Sequence, residues 1–357
     1  MSLIRVCIVG AGRISALNAL GYLEHPDAKI AAVCDLDRSK AEEKAKEWGA
    51  DKVYTDYAEV LKDDEIDAVE LLVPHHLHCK MTIQACEAGK HVSLQKPMAL
   101  TLAEADLMVE AAEKAGVKLK VYENFIWYPP LVKAKELIDA GEIGEPISIR
   151  IKSNAGRADL GWEVPQEAWA WRMNEETCGG GPLVFDDGFH KFSLAMYLMG
   201  EVEKVSAWID RTEIVPEVYY QDSPAMIMWK YKDSKRYGIM DIVTSKDMFI
   251  NTDYYSIDER VEVTGTKGVL WITRCTAKML QIPTLIVYRD GQTTNYENLR
   301  DNWADSFIDS TKDFIDCIKF NREPKLNAKE GREVLRFTLA AMESAKRKQE
   351  VYLDQMP

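Results

Sequence analysis

Residues 3–35 constrain the fold of this chain more than any other stretch. Leu3 to Val9 is a short apolar run that ends in Gly10-Ala11-Gly12-Arg13-Ile14-Ser15, and a helical pattern follows from Ile14 to Glu24. The order is strand, glycine turn, helix. Two glycines permit a tight turn and let a pyrophosphate approach backbone N–H groups at the helix N-terminus. Ser15 stands where a third glycine would complete the pattern. A second strand, Lys29 to Cys34, ends in Asp35, placed where a carboxylate accepts hydrogen bonds from both ribose hydroxyls of an adenosine. The same carboxylate repels a 2′-phosphate, so the expected cofactor is NAD, preferred over NADP. An ordinary turn between strand and helix would account for the glycines and leave the acid unexplained. Gly10, Gly12, Arg13, Ile14 and Asp35 are the expected cofactor contacts here.

The alternation continues. Helices are expected over Lys40–Trp48, from Tyr57, over Leu77–Ala88 and from the capping box Thr101-Leu102-Ala103-Glu104 to Gly116. Strands are expected at Val53-Tyr54, Ala68–Val73, His91–Leu94 and Val117–Tyr122. Strands separated by helices read as a doubly wound parallel sheet whose ligand crevice lies at the carboxyl ends of the strands. Val73, Pro74, His75, Gln95, Lys96, Pro97 and Asn124 fall at or just past such ends. His75, His76 and His78 supply no third ligand at metal spacing, so no metal is expected and cofactor contact is the better reading. Lys96 is either a solvated lysine or a fixed cation able to stabilise developing alkoxide charge.

Near residue 125 the pattern changes, which divides the chain into 1–125 and 126–357. A helix Leu131–Ala140 and a strand Ile147–Ser153 lead into a long loop, Asn154–Gly181, carrying Arg157, Trp162, Trp169, Trp171 and Arg172. Flat aromatics beside guanidinium groups suit a sugar ring, or else pin the loop to the core. After the loop comes Gly179-Gly180-Gly181-Pro182-Leu183-Val184-Phe185-Asp186-Asp187-Gly188-Phe189-His190. Four residues apart on a helix, Asp186 and His190 share a face, so the carboxylate can orient an imidazole suited to proton transfer near neutrality. A hydrogen-bonded core histidine is the alternative. Strand patterns then dominate at 202–212, 225–231, 237–244, 260–263, 269–273 and 284–288, and helices at 303–320 and 329–348 close the chain. Runs of strands without helices between them predict an α+β second domain with a large, mostly antiparallel sheet.

Composition narrows the partners. With 45 basic and 58 acidic residues the net charge is -13, which argues against nucleic acid or an anionic membrane as partner. A small molecule is expected instead. Seven cysteines without a CxxC pair read as free thiols of a reducing compartment, and no signal peptide or membrane span is evident, so a cytoplasmic protein is expected.

Several stretches together resemble the Gfo/Idh/MocA oxidoreductases: GAGRIS, CDLD, AGKHVSLQKP, GEIGEP, WRMNEETCGGGPLVFDDGFH, VTGTKG and DFIDCIKFNREPKLNAKEGREVLRFTLAAMESA. The resemblance implies a catalytic set of Lys96, Asp186 and His190, with Gly10, Gly12 and Asp35 on the cofactor and Asn124 near nicotinamide and substrate. It also implies a cis Lys96-Pro97 peptide. One broad, partly apolar face of the C-terminal sheet is an expected surface for a homodimer or homotetramer. Asn124, Trp127, Arg157, Trp171, Arg172 and Asp187 join Lys96 and His190 as expected substrate contacts. The chain departs from the family pattern at Gln95 (Glu), His75 (Asn), Ile126 (Arg) and Ser193 (Asp).

Three functions follow. The first is an NAD-dependent dehydrogenase oxidising a secondary alcohol of a sugar, glycoside or polyol. The second is an enzyme that retains NAD and oxidises a glycoside at C3 so that elimination becomes easy. The third is a non-catalytic dinucleotide-binding sensor.

Overall fold

The computed structural model describes residues 3–158, 161–162, 170–215 and 219–356. The chain forms two compact units, one of Met1–Asn124, Glu176–Gly179 and Phe307–Leu335, the other of Phe125–Glu175, Gly180–Ser306 and Arg336–Pro357.

In the first unit the strands are β1 (Ile4–Val9), β2 (Ala28–Cys34), β3 (Lys52–Tyr54), β4 (Ala68–Leu71), β5 (His91–Gln95) and β6 (Leu119–Tyr122). They lie in the order β3-β2-β1-β4-β5-β6 and every neighbouring pair is parallel. The helices between them are α1 (Ser15–Glu24), α2 (Arg38–Trp48), α3 (Tyr57–Lys62), α4 (His78–Glu87) and α5 (Leu102–Ala115). The expected doubly wound sheet is present, with its order reversing between β1 and β4. Each helix start has a local cause where the sequence offers one. Asp37 caps α2 by accepting from the Ser39 and Lys40 amides, and Thr101 caps α5 by accepting from the Glu104 amide while Glu104 accepts from Leu100.

The first unit does not end at Asn124: 176–179 and 307–335 belong to it as well. The reason is packing. Phe314 and Ile315 of the helix Trp303–Phe320 join the core formed by Val6, Ile8, Tyr22, Ile30 and Val33. Lys120 and Tyr122 of β6 donate to the Ser310 and Phe307 carbonyls of that helix. Lys120, Ser93 and Glu70 are register partners on adjacent strands, all fully buried. Glu70 accepts from Asn18 Nδ2 at 2.9 Å and Tyr22 Oη at 2.5 Å. Burial lowers the Lys120 ammonium to about 8 against the pull of Glu70, and raises the Glu70 carboxyl.

In the second unit α6 (Pro129–Asp139) precedes β7 (Pro146–Arg157), and α7 (Gly188–Met199) precedes β8 (Val202–Ile209). The remaining strands are β9 (Thr212–Val215), β10 (Tyr219–Gln221), β11 (Ala225–Tyr231), β12 (Tyr237–Phe249), β13 (Ile257–Gly265), β14 (Gly268–Ile272), β15 (Leu285–Arg289), β16 (Gln292–Tyr296) and, after the helix Ala328–Arg347, β17 (Val351–Tyr352). Among the described residues nine of this unit's eleven strands form one sheet in the order β16-β15-β14-β13-β7-β12-β11-β8-β17, and β9 pairs with β10 apart from it. Only β7 and β12 run parallel within it; the other pairs are antiparallel, as the run of strand patterns predicts. A parallel pair needs a long crossover, and the stretch from Arg157 to Tyr237 supplies it. Along β11 the burial alternates strictly, with Ala225, Ile227, Trp229 and Tyr231 inward.

Candidate active site

The glycine turn of the first unit is built for close approach. Gly10 has φ +98°, and a Cβ there would lie 2.2 Å from the Leu72 carbonyl oxygen, so no other residue fits. A Cβ on Gly12 would meet nothing within 4 Å. The bare backbone at Gly12 therefore serves no protein packing and leaves room for a ligand. Ser15, in place of the third glycine, donates its hydroxyl to the Gly12 carbonyl at 2.6 Å, so it braces the turn. No side chain caps α1, whose N-cap is Ile14, and Arg13 beside it is exposed. Asp35 follows β2, its Oδ2 accepting from the Ala11 amide at 2.7 Å and its Oδ1 from the Asp37 amide at 2.9 Å. These residues fit a dinucleotide: open backbone for a pyrophosphate, and a fixed carboxylate for a ribose.

Further along the strand ends, histidines hold the backbone. His78 is fully buried and its Nδ1 and Nε2 face the Pro97 and Val73 carbonyls at 2.8 and 2.9 Å. The ring thus lies between two acceptors. It ties the Val73-Pro74 turn to the Lys96-Pro97 segment, whose peptide is cis. His75 Nδ1 donates to the Cys178 carbonyl at 2.8 Å. Gln95 Oε1 accepts from the Lys96 amide at 2.9 Å. Asn124, 1% exposed, follows β6.

In the second unit the expected α-helix through Asp186 and His190 is two structures in series. Pro182–Asp187 is a π-helix, and α7 begins at Gly188. The Asp186 amide donates to the Gly181 carbonyl at 3.2 Å, the five-residue closure of a π turn. Asp222 explains the start of this turn. Its Oδ1 and Oδ2 accept from the Leu183 and Val184 amides, each at 2.7 Å. A Cβ on Gly181 would fall 2.1 Å from the Asp222 carboxylate carbon, so the last glycine of the run makes room for that carboxylate. Burial raises the Asp222 carboxyl to about 6 despite the two amides.

Asp186 and His190 are both buried, 5% and 7% exposed. Asp186 Oδ2 accepts from Arg172 Nε at 2.6 Å, and the Arg172 guanidinium lies 4.2 Å from the Trp171 ring centroid. The structure thus gathers Trp171, Arg172 and Asp186. The His190 ring stacks on Phe125 at 4.7 Å, and the Lys191 ammonium lies 5.0 Å from the Phe125 centroid. Lys191, 1% exposed, donates to Asp187 at 2.6 Å and Glu259 at 3.2 Å. Burial would lower the lysine, but the two carboxylates outweigh it and hold it above its usual range. Burial raises Glu259 to about 7, against the pull of Lys191. Asp187, expected to contact substrate, is occupied by this lysine.

Two other expected substrate contacts, Arg157 and Trp127, belong to the same unit. Arg157 is exposed at the end of β7, and Trp127 closes the helical turn Phe125–Trp127. Trp162 packs edge-on against Tyr254, Tyr255 and Trp303 at 5.5, 5.3 and 6.3 Å, which pins its part of the long loop to the core. Trp169 lies outside the described residues. Reading the sequence missed Asp222, Phe125, Lys191 and Glu259. Only Lys191 carried a signal, a lysine inside an apolar helix pattern.

Residues 4–123 match the oxidoreductase family's NAD-binding Rossmann fold, and residues 135–353 match that family's C-terminal alpha/beta domain. The chain belongs to the Gfo/Idh/MocA oxidoreductases. Among relatives of this family, it is 27% identical to myo-inositol 2-dehydrogenase of Thermotoga maritima over 99% of both chains. It is 27% identical to scyllo-inositol 2-dehydrogenase (NAD(+)) of Bacillus subtilis, covering 98% of this chain and 96% of the relative. A crystal structure of a probable dehydrogenase from Thermotoga maritima superposes with a TM-score of 0.79 at 27% identity, covering 99% of this chain and 100% of that one.

Proposed function

We propose that the protein is an NAD-dependent dehydrogenase that oxidises a secondary alcohol of a sugar, glycoside or polyol, with His190 as the proton acceptor. The observation that carries this reading is the buried Asp186 and His190 pair at the junction of π-helix and α7, in a family whose N-terminal half is an NAD-binding fold. The names of the two inositol dehydrogenases support the substrate class.

Gly10, Gly12, Arg13 and Ile14 hold the pyrophosphate, Asp35 the adenosine ribose, and Val73, Pro74, His75, Gln95, Lys96 and Asn124 the nicotinamide end. NAD supplies the hydride acceptor when bound. His190 takes the hydroxyl proton on a ring nitrogen, and Asp186 stabilises the resulting imidazolium. Lys96 donates a hydrogen bond to the substrate oxygen and stabilises the negative charge that develops on it. Asn124, Trp127, Arg157, Trp171 and Arg172 contact the substrate. Asp187 supports them from its pair with Lys191. The anchored Asp35 carboxylate supports a preference for NAD over NADP. Free, mostly buried thiols suit a reducing cytoplasm. Association of copies through the large sheet is supported by Trp208, Met226 and Met228, exposed on neighbouring strands β8 and β11.

The test is a panel of inositols, aldoses, alditols and glycosides with NAD and NADP, read at the NADH absorbance band. Wild-type protein is expected to reduce NAD with one polyol or sugar, and His190→Ala and Lys96→Ala to lose that turnover. Glycosidic cleavage without net NADH, or tight NAD binding without turnover of any compound, would overturn the reading. Light scattering in solution tests the assembly.

A further inference from the structure

The π turn is a costly local choice. Such turns are rare, occur mostly singly within α-helices and frequently mark functional sites, so what holds one in place matters. Here the holder comes from far along the chain. Asp222 lies between β10 and β11, and its carboxylate takes the amides of Leu183 and Val184 at 2.7 Å each. The contact is tight on its other side, because the backbone of Gly181 occupies the space where a side chain would meet that carboxylate.

We propose that Asp222 is a positioning residue for the Asp186 and His190 pair: by clamping both amides it sets the wide winding and so fixes where Asp186 stands relative to α7. The inference rests on the reading of Asp186 and His190 as the proton-handling pair and adds a third residue to it. The clamp is also electrostatic. The charged and titratable groups that act with it are Asp186 on the turn, Arg172 bonded to Asp186, and Tyr219 of β10, whose phenol feels both Arg172 and Asp222. A buried carboxyl raised to about 6 changes charge close to neutrality, so the clamp weakens as pH falls through that value. Protonation turns a bidentate acceptor of two N–H groups into a carboxyl with only one good acceptor oxygen.

Asp222→Asn tests this without adding bulk. It keeps one acceptor oxygen, places an NH2 group against the other amide, and removes the charge. Turnover of the best substrate from the panel is expected to fall about 10- to 100-fold, the scale of a small misplacement of catalytic groups. NADH binding, read by fluorescence, is expected to stay within about twofold, since none of the first unit's expected cofactor contacts is altered. In a histidine-labelled sample, the His190 imidazole signal, assigned by its absence in His190→Gln, is expected to titrate at a different pH, the response to a displaced Asp186 carboxylate. Gly181→Ala, which pushes the carboxylate away from the opposite side, is expected to lower turnover in the same direction.

A merely structural role would cost stability and rate while leaving the His190 titration unmoved, and that result overturns the inference. So does an Asp222→Asn enzyme with turnover within about twofold of wild type and an unchanged titration. Full turnover by His190→Ala removes the underlying reading and the inference with it. The two failures are distinguishable, because the first two leave His190→Ala inactive.

Discussion

Replacing Lys191 with methionine keeps most of the side-chain volume and removes the cation between buried Glu259 and half-buried Asp187. In the native protein Lys191 bonds Asp187 and Glu259, and Glu259 already sits at about 7 instead of 4.5. The folded pKa is raised, so the stability tied to Glu259 is fully present below pH 4.5 and is lost as pH rises through 7. At about 1.4 kcal/mol per unit, that loss reaches roughly 3 kcal/mol and then levels off. Without Lys191 the carboxyl stays protonated to higher pH, so the loss keeps growing. By pH 8 this adds roughly 1 kcal/mol, and at pH 6 it adds almost nothing. The broken ion pair with Asp187 is lost at both pH values. Together they give the about 3–5 kcal/mol typical of stripping one partner from a buried pair. Urea unfolding followed by tryptophan fluorescence at pH 6 and pH 8 measures both numbers. A second substitution, Glu259→Gln, is expected to recover much of the deficit at pH 8. A deficit below about 1 kcal/mol, or one that does not grow with pH, would refute the assignment of a buried charged cluster behind Phe125.

Gly12→Ala is expected to leave the melting temperature unchanged, since its Cβ meets no protein atom, yet to weaken NADH binding about tenfold or more by fluorescence titration. Gly10→Ala, which meets the Leu72 carbonyl, is expected to destabilise the fold itself. Arg172→Met is expected to cut kcat with little change in NADH affinity, because it leaves Asp186 without its 2.6 Å partner; equal kcat in steady-state assays would contradict that role. Lys120→Met is expected to cost about 3 kcal/mol or more in urea unfolding by stranding Glu70, and the double variant with Glu70→Gln to recover most of it.

Most of the first unit was legible because its constraints are local. Glycines at a turn, an acid at a strand end, caps at 37 and 101 and apolar runs of fixed period are written within short windows of sequence. The return of 307–335 was not legible, because an amphipathic helix names the face it buries and not the sheet it buries against. The same limit applies at the site. Asp186 and His190 stand out as an acid and an imidazole one turn apart, and the spacing predicts an α-helix. The π turn that replaces its first part is imposed by Asp222, 36 residues beyond Asp186, with nothing between them to announce the contact. Long-range polar partners leave no period in the sequence. Lys191 shows what can still be read: a lysine at a position where the helix pattern calls for an apolar residue needs buried acids, though their identities come only with the fold.

The departures from the family pattern change charge more than geometry. Gln95 accepts the Lys96 amide through its side-chain carbonyl at 2.9 Å, a bond that a glutamate would make equally well. The bond stays and a negative charge beside Lys96 goes. Ser193, 2% exposed on α7 one turn beyond His190, likewise stands where the family pattern has an aspartate. Each unit therefore loses one carboxylate at the residues assigned to chemistry, and the ammonium of Lys96 has one acid fewer to balance. A neutral alcohol is indifferent to that loss in its ground state and gains from it as charge develops on its oxygen. An anionic substrate is spared the repulsion of those carboxylates in both states, and against this stands the loss of the guanidinium that the family pattern has at Ile126. Aldonic and uronic acids thus belong in the substrate panel beside the inositols, and their kcat/KM relative to the matching neutral sugars measures how far the missing acids have moved specificity.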